Sequence, residues 1–250
     1  MNIGISQLPF DKTSHLIKDL IIYKNIGFQN LEIIYSKFDN IEQILKFKNS
    51  IFSHDIKIIS AQSILFNSGI IDFTDSNIVE KIYEVIQKCN ITETKILVLG
   101  SPSCRKLFDL YKLKKNFQKL DKVLIKYNKI LCIEPNCELY GGKYFFTIDE
   151  IVNFIIDCKL ENVKTMIDTH NVLYQNLDII NTFLTYTNYI HHIHVSENNL
   201  TPFIKSDKHI LFSKCLIENN YSKWITYETK CYTNIITTAK NFMETYENGK

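Results

Sequence analysis

Four residues that can bind a metal ion each lie at or near the end of a short apolar stretch. Glu134 closes LCIE, Asp168 closes KTMID, His194 lies near the end of YIHHIHV, and Glu228 closes WITYE. Three carboxylates and one imidazole suit Mg²⁺, Mn²⁺ or Co²⁺ better than a metal that prefers thiolates. These residues form a single site only if the fold brings them together. The chemistry therefore depends on the elements that position them.

Short β-branched stretches alternate along the chain with longer amphipathic ones, which is typical of βα units around a parallel sheet. Strands are predicted over residues 2–6, 30–34, 56–61, 95–100, 130–134, 163–168, 189–195 and 224–228. Helices are predicted over residues 15–25, 41–52, 76–89, 106–127, 148–158, 177–186, 208–218 and 234–246. Thr147 and Glu150 have the spacing of a capping box at one helix start.

The alternation predicts a single α/β domain over residues 1–250, closed into a (β/α)₈ TIM barrel. An open doubly wound sheet is the alternative, but the residues after the first strand, ISQLPF, contain no G-x-G-x-x-G fingerprint. In a barrel all strands point their carboxyl ends toward one mouth. Glu134, Asp168, His194 and Glu228 end predicted strands five to eight, so we expect them to converge there.

Composition excludes some functions and compartments. Lys plus Arg number 29 against 27 Asp plus Glu, which gives no electrostatic argument for binding nucleic acid. The seven cysteines form no CxxC pair, as in proteins that keep reduced thiols. The sequence has no stretch typical of a signal peptide or a membrane span, so we expect a cytoplasmic protein with no membrane partner.

The three histidines of YIHHIHV cannot share one face of a strand, because side chains alternate with a period of two. His192 and His194 share a face, and His191 lies opposite. His194 is nearest the carboxyl end and is therefore the expected ligand. His192 is interpreted chiefly as a core residue, with a supporting contact to the site as the alternative.

Several of these stretches together resemble the xylose isomerase-like barrel superfamily, in its sugar phosphate isomerase/epimerase group. The resemblance covers nearly the whole chain and is carried by GFQNLEI, IEPN, IDT, HIHVSENN and YETK. Three further stretches, SAQSILF, LVLGSPSCRK and IEPNCELYGGKYF, resemble an uncharacterised branch of that group.

The resemblance implies a metal held by Glu134, Asp168, His194 and Glu228, and a divalent-metal-dependent isomerase or epimerase of a sugar or sugar phosphate. It also implies that Glu134 and Glu228 move protons on opposite sides of the reacting carbon while an enediolate is stabilised. This makes chemical sense, because a sugar C–H is a very weak acid until a cation stabilises the charge on the neighbouring oxygen. A carboxylate can then act as the base.

The chain departs from the family pattern where substrate is bound. His170 follows Asp168 by two residues, whereas many members have a histidine three residues on, so His170 is not assigned that role. Leu200 replaces an arginine common in the ketose epimerases, and Gln62 stands at a third-strand histidine position. The expected substrate-binding residues are Glu32, Gln62, Arg105, Tyr140, Glu197 and Lys230.

Two of these residues have specific expected tasks and alternatives. Arg105 is expected to bind a phosphate or carboxylate, with a surface arginine as the alternative. Glu197 is expected to hold a sugar hydroxyl or to orient His194.

Other functions stay open at this stage. A dehydratase could use the same site, and a non-catalytic sugar-binding barrel is a further alternative. An abasic-site endonuclease shares the superfamily fold but needs additional metal ligands, and here Gln62 occupies one such position. A homo-oligomer is neither predicted nor excluded.

Overall fold

The computed structural model describes residues 1–9 and 13–249, and its centre is a closed barrel of eight parallel strands. The strands are β1 Asn2–Ser6, β2 Asn30–Ile33, β3 Lys57–Ala61, β4 Ile96–Leu99, β5 Ile130–Ile133, β6 Val163–Asp168, β7 Ile190–Val195 and β8 Trp224–Tyr227. Each strand pairs with the next, and β8 closes on β1 with Trp224 opposite Asn2. The predicted (β/α)₈ TIM barrel is confirmed.

Nine α-helices surround the barrel in the described part of the chain. They are α1 Thr13–Ile26, α2 Ile41–Phe52, α3 Ile78–Thr92, α4 Leu110–Lys126, α5 Ile148–Cys158, α6 Thr169–Tyr174, α7 Ile179–Tyr186, α8 Asp207–Glu218 and α9 Ile235–Asn248. The Thr147 hydroxyl accepts a hydrogen bond from the Glu150 N–H, as the capping spacing predicted. None of these helices combines the length and apolar composition needed to cross a membrane.

Two differences from the predicted helices have local causes. The helix predicted from residue 106 begins at Leu110, because the Lys106 and Leu107 N–H groups donate to Asp72 and the Asp109 side chain caps the helix. The short helix α6 was not predicted. It follows β6 directly because Asp168, the last strand residue, also caps it.

The barrel interior holds an apolar layer beneath a polar one. Ile96, Val98, Cys132 and Met166 form a small cluster separate from the main core between strands and helices. Because side chains alternate along a strand, Glu134 continues the row of Cys132, and Asp168 continues the row of Met166. The interior rows of β5 and β6 therefore lead to the acidic residues at the mouth.

The aromatic core ties the last helix to the barrel. Phe242 of α9 is fully buried, and its ring lies 5.8 Å from that of Phe28 and 5.2 Å from that of Tyr227. All seven cysteines, each within the described residues, are free.

We expect Phe242→Ala to lower the free energy of unfolding by about 3–5 kcal/mol, because it leaves a cavity among packed rings. Chemical denaturation measures the change. Phe108→Ala is the control, since Phe108 is 62% exposed. A loss for Phe242→Ala no larger than that of Phe108→Ala would contradict this role.

Candidate metal centre

The four predicted ligands do meet at the mouth of the barrel. Glu134, Asp168, His194 and Glu228 each offer a ligand atom, and these atoms all lie within 4.8 Å of one another. His194 Nδ1 is 3.6 Å from Glu134 Oε1 and 3.2 Å from Glu228 Oε2. We call this group the metal cluster.

Gly100, directly after β4, makes room for one ligand. A Cβ atom at this position would overlap Glu134 Oε2, so a larger residue would displace the Glu134 carboxylate from this position. No sequence motif predicted a role for Gly100. The feature of the sequence that could have indicated this role is the glycine at the end of ILVLG, the predicted strand that precedes strand five.

Asp168 is fixed by two hydrogen bonds while facing the cluster. Its Oδ1 accepts from the Asn171 N–H at 2.7 Å, and its Oδ2 accepts from the Ser196 hydroxyl at 2.6 Å. Burial, followed by the carboxylates of Glu134 and Glu228, raises the pKa of Asp168 to about 7. Burial also raises the pKa of Glu228. The cluster thus concentrates negative charge that a cation would offset.

His194 is oriented from below by Glu32. Its Nε2 lies 2.9 Å from Glu32 Oε1 and its Nδ1 faces Glu134 and Glu228, and both nitrogens are buried without a well-formed hydrogen bond among the described residues. Burial opposes a charge on His194, but Glu32 and Glu228 outweigh it and raise its pKa well above the usual value. Metal binding would displace the proton on Nδ1 and leave the one on Nε2 facing Glu32, so that Nδ1 could ligate the ion. The oxygen-rich donor set and this unpartnered nitrogen fit a divalent cation.

Glu32 does not lie where a substrate-binding residue was expected. It is fully buried, with Oε2 3.0 Å from His192 Nε2 and accepting from the Ser60 hydroxyl at 2.7 Å. Burial alone would raise its pKa, but His194 and His192 hold the pKa of Glu32 well below its usual range. Glu32 therefore supports His194 from within the barrel. His192 takes the supporting position, since it contacts Glu32.

A cavity of about 390 Å³ opens above the metal cluster, and we call it the mouth cavity. Of the predicted substrate-binding residues, Gln62, Tyr140 and Lys230 line it. Burial, followed by the charge of Asp168, raises the pKa of Tyr140 to about 12. These three stay candidates for substrate contact.

The mouth cavity also contains residues to which the sequence analysis gave no role. His170 lines it, and its buried Nε2 has no hydrogen-bond partner among the described residues. Other polar lining residues of this kind are Ser63, Ser101, Ser103, Asn136, Asn171, Ser196 and Asn199. Their positions depend on loop conformations, which local sequence patterns do not determine.

Arg105 differs from the expected anion ligand. It is fully buried, and its guanidinium donates to the carbonyls of Phe145, Gly100 and Glu134 at 3.0, 2.5 and 2.7 Å. Burial lowers its pKa to about 10. Arg105 joins the ends of β4 and β5 to the following loop, and so it holds the backbone that carries Glu134 instead of facing a ligand.

Glu197 lies beside neither His194 nor the mouth cavity. Its Oε1 accepts from the Ile204 N–H at 3.0 Å and is 3.2 Å from His209 Nε2. His209 Nδ1 in turn lies 2.7 Å from the Tyr246 hydroxyl. Glu197 therefore fixes the loop between β7 and α8, which differs from both of its expected roles.

The comparisons with known proteins agree with this architecture. A family model described as the xylose isomerase-like TIM barrel matches residues 22–247. The chain belongs to this family. The recognition made from the sequence motifs is thus confirmed. A search of curated protein sequences found no match.

Solved structures similar to this xylose isomerase-like barrel include two sugar epimerases. One is 3-keto-D-glucoside 4-epimerase from Escherichia coli, with a TM-score of 0.80, 14% identity and coverage of 99% of both chains. Another is D-psicose 3-epimerase from Clostridium cellulolyticum H10 with D-tagatose, with a TM-score of 0.79, 15% identity and coverage of 99% of this chain and 98% of that one.

An AP endonuclease of family 2 from Brucella melitensis is also similar, with a TM-score of 0.79, 12% identity and coverage of 95% of this chain and 96% of that one. At such low identities the likeness concerns the fold.

Gly100→Ala tests the space reserved for Glu134. We expect weaker Mn²⁺ binding, measured by calorimetry, because the added methyl displaces the Glu134 carboxylate. Gly142→Ala is a matched control, since its Cβ would meet its nearest neighbour, Arg105 Cβ, at an ordinary 3.5 Å. Unchanged Mn²⁺ affinity in Gly100→Ala would contradict the assignment of Glu134 as a ligand.

Glu32→Gln tests the support of His194. We expect Mn²⁺ affinity to fall by about 10–100-fold, the usual effect of losing the partner of a ligating histidine. Glu42→Gln is the control, because Glu42 pairs with Lys46 on the surface. Equal affinities in the two variants would show that Glu32 has no influence on the metal cluster.

Proposed function

We propose that this protein is a divalent-metal-dependent isomerase or epimerase of a sugar or sugar derivative. The observation that carries the proposal is the placement of two carboxylates, Glu134 and Glu228, beside the unpartnered Nδ1 of His194 at the floor of an open cavity. The sugar epimerases among the similar structures support the same class.

In this proposal four residues hold the metal, and two of them also transfer protons. Glu134, Asp168, His194 and Glu228 would hold the cation, which would stabilise negative charge on a substrate oxygen beside the reacting C–H. Glu134 follows β5 and Glu228 follows β8, so they approach the cluster from different parts of the barrel rim. One carboxylate takes the proton from carbon, and the other returns a proton from the other side, which inverts the centre.

Isomerisation needs a smaller change in the same scheme. A single carboxylate, Glu134 or Glu228, moves the proton from one carbon to the neighbouring carbon, while the hydroxyl proton passes to the oxygen that was the carbonyl. Gln62, Tyr140 and Lys230 would orient the hydroxyl groups, and all three line the mouth cavity. Their contacts decide which carbon lies beside the carboxylates.

Solvent-deuterium exchange into ketoses tests the proton-transfer roles. With Mn²⁺ present and a panel of D-fructose, D-psicose, D-tagatose, D-xylulose and L-ribulose, we expect Glu134→Gln and Glu228→Gln to lower exchange by about 10²–10⁴-fold. The loss follows because an amide cannot accept the proton.

The control is Glu138→Gln, an exposed carboxylate in the loop after β5. Mn²⁺ binding is measured in each variant to separate loss of the metal from loss of the base. Full exchange in either Glu134→Gln or Glu228→Gln would contradict its role. A panel sugar that binds the wild-type protein without any exchange would favour a non-catalytic binding protein.

A further inference from the structure

A second cavity adjoins the mouth cavity. This side cleft, of about 270 Å³, lies between helix α3 and the loops that follow β2 and β3. Ser63 and Phe66, both in the loop after β3, line the mouth cavity and the side cleft. A ligand that extends past these two residues would therefore reach from one space into the other.

The turn that carries Phe66 is held in place from within. The Phe66 N–H donates to the Ser63 carbonyl at 3.0 Å, and the Ser68 hydroxyl donates to the Leu65 carbonyl at 2.7 Å. Ile64 and Leu65 are buried, whereas Phe66 is 64% exposed. The backbone thus presents this ring at the junction of the cavities while its neighbours anchor the loop in the core.

The side cleft offers polar groups suited to hydroxyls. Ser36, Asn67 and Ser68 line it with uncharged donors and acceptors. Lys81 is paired with Glu84 at 2.8 Å, so Lys88 is the remaining cation among the described lining residues. An aromatic face with hydroxyl and amide groups beside it matches a sugar ring, whose C–H bonds pack on the ring while its hydroxyls form hydrogen bonds.

We propose that the side cleft is a second sugar subsite, so that the substrate carries a further sugar unit beyond the one that reacts at Glu134 and Glu228. This inference rests on the proposed function. Phe66 is the platform at the junction, and the polar groups of the side cleft bind the second unit. The substrate class is then a glycosylated sugar in preference to a free monosaccharide.

Matched sugars test the subsite. D-fructose is compared with lactulose, maltulose and isomaltulose, which carry a second ring on the same ketose. Deuterium exchange with Mn²⁺ gives KM and kcat, and calorimetry gives affinity. We expect a lower KM for at least one disaccharide than for D-fructose. In Phe66→Ala the ratio of the disaccharide KM to the D-fructose KM should rise about tenfold.

Two variants serve as controls. Phe66→Tyr keeps the aromatic face and should keep the wild-type ratio. Phe108→Ala removes an equally exposed ring, 62% exposed, that lines neither cavity, and it should also keep the ratio. An unchanged ratio in Phe66→Ala, or weaker binding of all three disaccharides than of D-fructose, would overturn the subsite.

The remaining outcomes separate this inference from the proposed function. Exchange of D-fructose without binding of any disaccharide overturns the subsite and supports the enzyme. A disaccharide that binds through Phe66 but never exchanges supports the subsite and contradicts the enzyme. Tighter binding of D-fructose 6-phosphate than of D-fructose, lost in Lys88→Gln but not in Phe66→Ala, would assign the side cleft to a phosphate and overturn the sugar subsite.

Discussion

The carboxylates of Glu134, Asp168 and Glu228 are held close together at the mouth of the barrel, with one oxygen of each within 4.8 Å of the others and of a ring nitrogen of His194. Like charges at this separation in a buried site oppose folding unless a cation or protons offset them. Burial, and after it the charges of Glu134 and Glu228, raises the pKa of Asp168 to about 7. A bound divalent cation would offset the repulsion, and the same cation would supply the chemistry of the proposed reaction.

Two buried charges that were expected to meet substrate instead hold the cluster in place. Glu32 lies beneath it and contacts His194 and His192, so a carboxylate in the barrel interior determines which histidine nitrogen faces the mouth. Arg105 lies beside it and donates to carbonyls at the ends of β4 and β5, including that of Glu134. These partners offset much of the cost of burying each charge, which would be too high for an isolated one.

The fold alone does not choose between sugar chemistry and nucleic-acid chemistry, since both sugar epimerases and an AP endonuclease are similar in structure. The site is more informative. Lys230 is the one permanently cationic side chain among the described residues that line the mouth cavity. Most of the other polar groups that line this cavity are hydroxyls and amides. A polyol matches these groups, whereas a phosphodiester backbone calls for several cations. This contrast supports the sugar substrate of the proposed function.

The barrel and the identity of the metal cluster were determined by the sequence itself. Strand and helix periodicity is a local property, and barrel topology brings strand ends together wherever they occur, so the sequence predicts that Glu134, Asp168, His194 and Glu228 meet. The outward-facing His191 also followed from a period of two.

Only the tertiary structure decided what surrounds the cluster. The sequence predicts that Arg105 binds an anion, but in the fold its guanidinium donates to the backbone carbonyls of Phe145 and Gly100. His170 was given no role, yet it lines the cavity because Asp168 caps α6 immediately after the strand. Such outcomes depend on loop conformation and on contacts between residues far apart in sequence, which no local pattern records.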